Sequence, residues 1–368
     1  MKIVIACGGS GGHLYPGLSL AATLKEERKD IETIFVATRK PLDRRILGGE
    51  ETVLTLPMTG MPSLFSWRFP FFLIRSVFSL TLCLIWMIRL RPDVFVGFGG
   101  YVSGPVLLAG VLLRKPTFIH EENLVPGRAN LWLSRWVTRI GVAFEETEKF
   151  FRRPVVTVGN PLRNDLASLS PVEARDALGL KNDRFTLLVM GGSQGAHRLN
   201  RAMVELFERA PAVERSDFQL IHLAGEKDAG WVEERYRSLD VSARVYPFLQ
   251  RMGEAYSAAD LVVARGGAMT ITEIAHFRKP ALLVPLSLAR NHQRENVQFL
   301  ARQGACLFYD EKNLNLDSLL KEILNLKKDE SRRRALSEKM ASLCPNGGAK
   351  RLAQEVIALA EKETPHGA

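Results

Sequence analysis

Apolar and polar positions along the chain fall into short β-rich runs, each followed by a stretch with helical spacing. Residues 2–7 read as a strand without polar alternation, and Leu18, Ala21, Ala22 and Leu24 then mark one face of a helix over residues 16–28. Strands at 31–37 and 53–57, a helix over 71–89 and strands at 94–97, 117–120, 139–143 and 155–158 continue the series. Unalternated runs of this kind suit parallel strands covered on both faces.

The pattern then restarts. A short helical stretch at 171–178 precedes strands at 185–190, 219–224, 243–245, 261–264 and 281–284. Helical stretches at 202–209, 229–237, 252–257, 270–276 and 291–303 separate or follow them. The repetition predicts an α/β fold of two Rossmann-like domains facing across a cleft, with ligands beyond the carboxyl ends of the strands. Pro345, Asn346, Gly347 and Gly348 break the chain before a tail whose Leu352, Val356, Ile357, Leu359 and Ala360 recur at helical spacing. The expected partition is residues 1–160 with a closing helix at about 349–363, and a second domain over 161–345.

Composition agrees with this size of fold: 368 residues, 46% hydrophobic and 24% charged, exceed what a single core usually holds. The formal net charge is +10, which favours an anionic partner, and its distribution is more telling. Residues 52–92 contain no acid, while Arg68, Arg75, Arg89 and Arg91 are interleaved with Trp67, Phe69, Phe71, Phe72, Phe78 and Trp86. An apolar, aromatic and basic segment reads as a surface for an anionic bilayer, or else as a buried amphipathic helix. Its uncharged run, 76–88, is 13 residues long, short of the roughly 18 to 20 that span a membrane. Peripheral attachment is the expectation. A nucleic-acid groove is disfavoured, because the segment is too apolar and lacks the pattern of a stacking platform.

Cys7, Cys83, Cys306 and Cys344 are scattered without CxxC spacing, so neither a zinc knuckle nor a disulfide framework is suggested. The opening MKIVIACGGSGG is read as a first strand and its glycine loop, not as a signal peptide.

Three glycine-rich turns carry the candidate chemistry. The first, GGSGGH at residues 8–13, lies between a strand and a helix start, where backbone amides and the helix dipole make a seat for an anion. It matches neither GxGxxG nor the Walker pattern. The second, GGSQGA at 191–196, holds the corresponding place in the second half, so the two form a pair of phosphate-sized seats. In the third, ARGGAMTITEIA at 264–275, Thr270 is placed to cap a helix with Glu273 at its third position. Glu273 alternatively faces the ligand, where a carboxylate accepts two ribose hydroxyls. His13, at the tip of the first loop, suits a general base because imidazole is neutral near working pH; the alternative is a capping or phosphate-binding histidine.

Taken together, GGSGGHLYPGLSLA, VGFGGYVSGP, HEEN with GRAN, VGNPLR, VMGGSQGAHRLN, GGAMTITEIA and NHQRENVQFL resemble the MurG family of bacterial glycosyltransferases, in family order from Cys7 to about Leu300. That resemblance implies the GT-B fold and inverting transfer of N-acetylglucosamine from UDP-N-acetylglucosamine to a lipid-linked muramyl-pentapeptide. It implies a donor site of Arg163 and Phe248 near uracil, Ser193 and Gln194 near the diphosphate, Ala268, Met269 and Thr270 around phosphate and sugar, Glu273 on the ribose, and His292 and Gln293 on the sugar hydroxyls. It also implies an acceptor site with Gly11, Gly12 and His13 near the lipid pyrophosphate, and Tyr101, Glu121, Asn123 and Asn200 lining the junction. His13 is the first candidate for the base and Glu121 the second, either of which alternatively positions the acceptor.

No DxD-type motif is present, so no required metal and no tightly bound cofactor is expected, only the donor substrate. Expected partners are the lipid-linked acceptor, the anionic cytoplasmic face of the inner membrane and other cell-wall synthesis proteins. Two departures stand out: HEEN puts Glu122 where the family commonly has Gln, and Arg265, Gly266 and Gly267 replace the commoner RSG. The competing readings are a nucleotide-sugar epimerase of the same fold, which would act on soluble donor alone, and a non-catalytic lipid-binding protein.

Overall fold

A computed structural model describes residues 1–63, 65–163, 166–192, 195–286 and 292–362. The chain divides into two compact units, Met1–Asn164 with Gly347–Ala368, and Asp165–Asn346.

The first unit runs β1 (Lys2–Ala6), α1 (Gly11–Glu27), β2 (Glu32–Thr38), α2 (Pro41–Leu47), β3 (Val53–Leu56), α3 (Phe69–Leu90), β4 (Val94–Gly97), α4 (Gly100–Leu112), β5 (Thr117–Glu121), α5 (Arg128–Leu133), β6 (Arg139–Val142) and β7 (Val156–Thr157). All strand pairs are parallel, in the order β3-β2-β1-β4-β5-β6-β7. Alternate residues of one strand feed different cores. Ile3 and Ile5 pack with Leu20 and Leu24 of α1, whereas Val4 and Ala6 pack with Cys83 of α3 and Val106 of α4. Burial on both faces explains why these strands show no polar alternation.

The second unit contains α6 (Pro171–Ala177), β8 (Phe185–Met190), α7 (His197–Arg209), α8 (Ala212–Ser216), β9 (Phe218–Leu223), α9 (Ala229–Ser238), β10 (Ser242–Tyr246), α10 (Met252–Ala258), β11 (Leu261–Ala264), α11 (Ala268–His276), β12 (Ala281–Leu283), α12 (His292–Arg302), β13 (Leu307–Phe308), α13 (Leu316–Lys328) and α14 (Glu330–Leu343). Its parallel sheet has the order β10-β9-β8-β11-β12-β13. In both sheets the order reverses beside the first strand, between β1 and β4 and between β8 and β11. Such reversals open a crevice at the strands' carboxyl ends.

The last helix, α15 (Gly348–Lys362), belongs to the first unit: Leu352, Ala353, Val356, Leu359 and Ala360 enter the same core as Ile3, Phe35 and Leu24.

Three helix starts differ from the sequence reading. Helix α1 begins at Gly11 and carries Pro16 inside it. The expected start was residue 16, from the stripe of Leu18, Ala21, Ala22 and Leu24. His13 therefore stands in the first turn of a helix and not at a loop tip. Helix α7 begins at His197, five residues ahead of expectation. The N-cap of α11 is Gly267, so Thr270 does not cap it and Glu273 lies a full turn inside.

Helix α3 is also longer than its uncharged run. It has 22 residues with a mean hydropathy of 2.1 in its most apolar window, enough by length and composition to cross a membrane. Both its ends, however, feed parallel strands of one sheet, and its stripe of Ser79, Cys83 and Met87 is buried. The opposite face presents Phe71, Ile74, Phe78, Ile85 and Ile88 to solvent.

Candidate active site

In the first unit, the turns after β1, β4 and β5 meet at the reversal of strand order. The β1 turn is pinned from α2. The Asp43 carboxylate, 1% exposed, accepts from Gly9 N at 3.0 Å, Thr38 N at 2.9 Å and Thr38 Oγ1 at 2.7 Å. Lys40 Nζ donates to the Gly9 carbonyl at 2.9 Å. Gly9 has φ +86°, and a β-carbon there would stand 2.9 Å from the Tyr101 hydroxyl, so only glycine lets the two turns approach this closely. The Tyr101 hydroxyl is buried without a hydrogen-bond partner in this arrangement. Gly11 is buried in the first turn of α1 and Gly12 beside it is exposed. Helix-start amides of this kind suit an anion.

His13 sits between the turns. Its ring lies against Gly100, where a β-carbon at φ +69° would come within 3.3 Å of Cδ2, and its Nδ1 is 3.4 Å from Glu122 Oε1. Burial alone would lower the imidazole pKa, but the charge and hydrogen bond of Glu122 outweigh it, and the net shift is upward from 6.5. Burial raises the Glu122 carboxyl, with His13 opposing. His120, one strand position before Glu121, is fully buried, donates from Nε2 to the Gly159 carbonyl at 2.9 Å, and is pushed down to about 4 by desolvation.

Glu121 has a different occupation. Its Oε1 accepts from Asn123 N at 2.9 Å and Asn123 Nδ2 at 3.1 Å, and its Oε2 from Gly127 N at 2.9 Å and Asn130 Nδ2 at 2.7 Å. Four donors fill the carboxylate, so its geometry is that of a brace for the turn holding Asn123, not of a base with a free lone pair.

In the second unit, the turn after β11 and the first turn of α11 bring Ala268, Met269 and Thr270 together, with Ala268 buried. Glu273 accepts a 2.8 Å hydrogen bond from the hydroxyl of Tyr256, a fully buried ring that stacks on Phe277. The start of α12 joins this group: the backbone of Gln293 lies against Gly266, and Gln293 Oε1 accepts from Leu286 N at 3.1 Å. His292 opens the same helix. Arg265 is buried in an ion pair with Glu311 and donates to the Val284 carbonyl at 2.9 Å, fixing the turn from below.

Several expected site residues stand elsewhere. Ser193, Gln194 and Asn291 lie outside the described residues. Asn200 was expected among the acceptor residues, but it is on α7 of the second unit and fully buried. Its Nδ2 donates to the Ala224 carbonyl and to Asp228 Oδ2, both at 2.8 Å, while its Oδ1 meets His222 Nε2 at 3.1 Å. It faces inward on the stripe of Leu199 and Met203, so its amide is spent on the scaffold. Arg163 falls in the first unit, its guanidinium 4.8 Å from the Tyr15 ring centroid. Phe248 follows β10 and is 41% exposed. The sequence reading assigned no role to Asp43, Lys40 or Tyr256.

Among the described residues, no group of three or more His, Cys, Asp or Glu is placed to hold a metal ion.

The sequence matches the glycosyltransferase family 28 N-terminal domain over residues 3–142 and the glycosyltransferase family 28 C-terminal domain over residues 186–356. The UDP-N-acetylglucosamine–N-acetylmuramyl-(pentapeptide) pyrophosphoryl-undecaprenol N-acetylglucosamine transferase of Acetivibrio thermocellus is 33% identical over 351 residues, covering 93% of this chain and 94% of that one. Its counterpart in Pelobacter propionicus is 36% identical, covering 97% and 99%. The crystal structure of Acinetobacter baumannii MurG has a TM-score of 0.77 at 25% identity, over 97% of this chain and 99% of that one. A UDP-GlcNAc 2-epimerase from Neisseria meningitidis shares the fold alone, with a TM-score of 0.66 at 12% identity. Two Rossmann-like units with glycine turns at their strand-order reversals, matched by both halves of family 28, define a GT-B glycosyltransferase. Within that class, the extent and identity of the full-length matches are decisive: the chain belongs to the MurG family of N-acetylglucosamine transferases.

Proposed function

We propose that this chain transfers N-acetylglucosamine from UDP-N-acetylglucosamine to the C4 hydroxyl of undecaprenyl-pyrophosphoryl-N-acetylmuramyl-pentapeptide, with inversion. The acceptor oxygen attacks the anomeric carbon from the face opposite UDP. The new C–O bond forms as the bond to the β-phosphate breaks, UDP leaves with that electron pair, and a base takes the hydroxyl proton. One displacement of this kind needs a single base and a stabilised leaving group, with no covalent sugar intermediate.

The observation that carries the reading is the placement of His13. It stands in the first turn of a helix at the strand-order reversal, its side chain 28% exposed and its Nδ1 facing a buried carboxylate. His13 is the base; Glu121, with both oxygens occupied, braces Asn123. Gly11 and Gly12 offer amides to the lipid pyrophosphate, and Tyr101 closes the pocket beside them. On the donor unit, the first-turn amides of α11 stabilise the departing diphosphate together with Ser193 and Gln194. Glu273 takes the ribose hydroxyls, His292 and Gln293 the sugar hydroxyls, and Phe248 the uracil.

The exposed apolar face of α3, flanked by Arg68, Arg75, Arg89 and Arg91, rests on the cytoplasmic face of the inner membrane where the acceptor resides. Arginines at the rim meet anionic headgroups while their stems cover apolar surface.

A His13→Ala protein is expected to lose ~10²- to 10⁴-fold in transfer rate, with the KM for the donor near its original value. Transfer that proceeds unchanged at every pH would remove His13 as the base.

A further inference from the structure

Adjacent residues at the end of an extended strand point to opposite sides, and β5 uses this to separate two neighbouring carboxylates. Glu121 turns toward residues 123–130 and is filled by their donors. Glu122 turns the other way, is 5% exposed, and brings Oε1 to 3.4 Å from His13 Nδ1. Its backbone is fixed too, because the Glu122 carbonyl accepts from Asn160 Nδ2 at 3.2 Å. The opposite edge of the imidazole lies toward the Gly100 turn, where a β-carbon would come within 3.3 Å of Cδ2 and 3.5 Å of Nε2.

We propose that Glu122 is a positioning residue for His13: its carboxylate accepts a hydrogen bond from Nδ1–H, fixes the tautomer and leaves Nε2 as the atom that takes the acceptor's proton. The proposal rests on the reading of His13 as base. During transfer the C4 hydroxyl proton passes to Nε2, its oxygen bonds to the anomeric carbon, and UDP departs with the electron pair. Glu122 stays ionised beside the imidazolium. A carboxylate at this distance makes the imidazole more basic than an amide would, and catalysis by a base gains from basicity near working pH.

The upward shift of His13 supports this balance, with the Phe98 carbonyl and the charge of Glu121 adding to the effect of Glu122. Among the described residues, other ionisable groups around the turns include Cys7 after β1, its thiol pushed up by burial, His120 on β5 beside Phe98, Tyr101 on α4, and Asp43 and Lys40 from the α2 side.

The test uses full-length protein with histidine labelled at Cε1, titrated by NMR as wild type and as Glu122→Gln, with His13→Gln to assign the signal. The glutamine variant keeps shape and hydrogen bonding, and the buried His120 and His222 signals report that the fold is intact. The pKa of His13 is expected to fall by ~1 or more in Glu122→Gln. The acid limb of kcat/KM should move to lower pH by the same amount, with a lower plateau, and Glu122→Asp should restore part of both. An identical His13 titration in wild type and Glu122→Gln overturns the pairing. A lowered titration with an unmoved acid limb instead overturns His13 as base, and the proton-transfer step with it.

Discussion

Asp43 shows how much of the site is held by a single side chain. Its buried carboxylate ties the Gly9 amide of the first glycine turn to Thr38 at the end of β2. Removing it leaves buried amides without an acceptor, a loss of about 1–3 kcal/mol per group. Asp43→Ala should therefore lower the midpoint of urea unfolding and depress transfer together. Tyr256 plays a comparable part for Glu273, the proposed ribose ligand. Tyr256→Phe removes a hydroxyl that donates to Glu273 and keeps the ring, and a hydrogen bond of about 0.5–1.5 kcal/mol corresponds to a rise of roughly 2- to 10-fold in the KM for UDP-N-acetylglucosamine. Steady-state kinetics should show kcat little altered.

The pH dependence also belongs at this scale. As the proposed base, His13 works only when neutral, and its pKa is raised from 6.5. Activity should climb as pH rises through that raised value, so the acid limb of kcat/KM lies above 6.5. The residues that meet at His13 were visible as separate motifs, but their partners were not. His13 and Glu122 are 109 positions apart and Gly9 and Asp43 are 34 apart. Contacts over such distances leave no periodic trace in the chain, and one carboxylate among forty acidic residues gives no local signal.

At the scale of elements, strands were easier to read than helix starts. Buried parallel strands concentrate β-branched residues, so their runs stand out. Helix α1 opens on Gly11 and Gly12, which hide its first turn because glycine disfavours the helix by propensity alone. Helix α4 was missed as a helix for the same reason: Gly104, Pro105 and Gly110 all lie inside it. Its formation is a tertiary effect, with Val102, Val106, Leu107 and Ala109 buried against the sheet. Helix α3 shows the opposite case, an apolar helix whose burial is confined to a narrow stripe. Its solvent-facing Ile74 and Phe78 are 66% and 57% exposed, so most of each side chain lies outside the unit's core. Replacing both with Asp should leave the unfolding midpoint nearly unchanged while abolishing co-sedimentation with anionic vesicles. Each large apolar side chain withdrawn from the bilayer forfeits roughly 1.5–3 kcal/mol.

Across the whole molecule, the repeated strand-helix series made two Rossmann-like units legible, whereas strand order was not. Sequence restricts parallel crossovers to one hand, but it does not say that β4 joins the free side of β1 and so creates the reversal where the glycine turns collect. The return of α15 to the first unit is equally a matter of three-dimensional fit. Its Leu352 and Val356 are fully buried among residues from the chain's first third, such as Ile3 and Phe35. Truncation after residue 346 should expose that core, lower the first unit's melting temperature and drive the protein into aggregates on size-exclusion chromatography.

A histidine in the opening turn of α1 is the proposed base of a single displacement at an anomeric carbon. The most direct test incubates the full-length protein with labelled UDP-N-acetylglucosamine and undecaprenyl-pyrophosphoryl-N-acetylmuramyl-pentapeptide, then determines the anomeric configuration of the lipid-linked product by NMR. A β-linked disaccharide, formed in equal amount to released UDP from the α-configured donor, is the predicted result. An α-linked product, or no lipid-linked sugar from protein that binds both substrates, would contradict it.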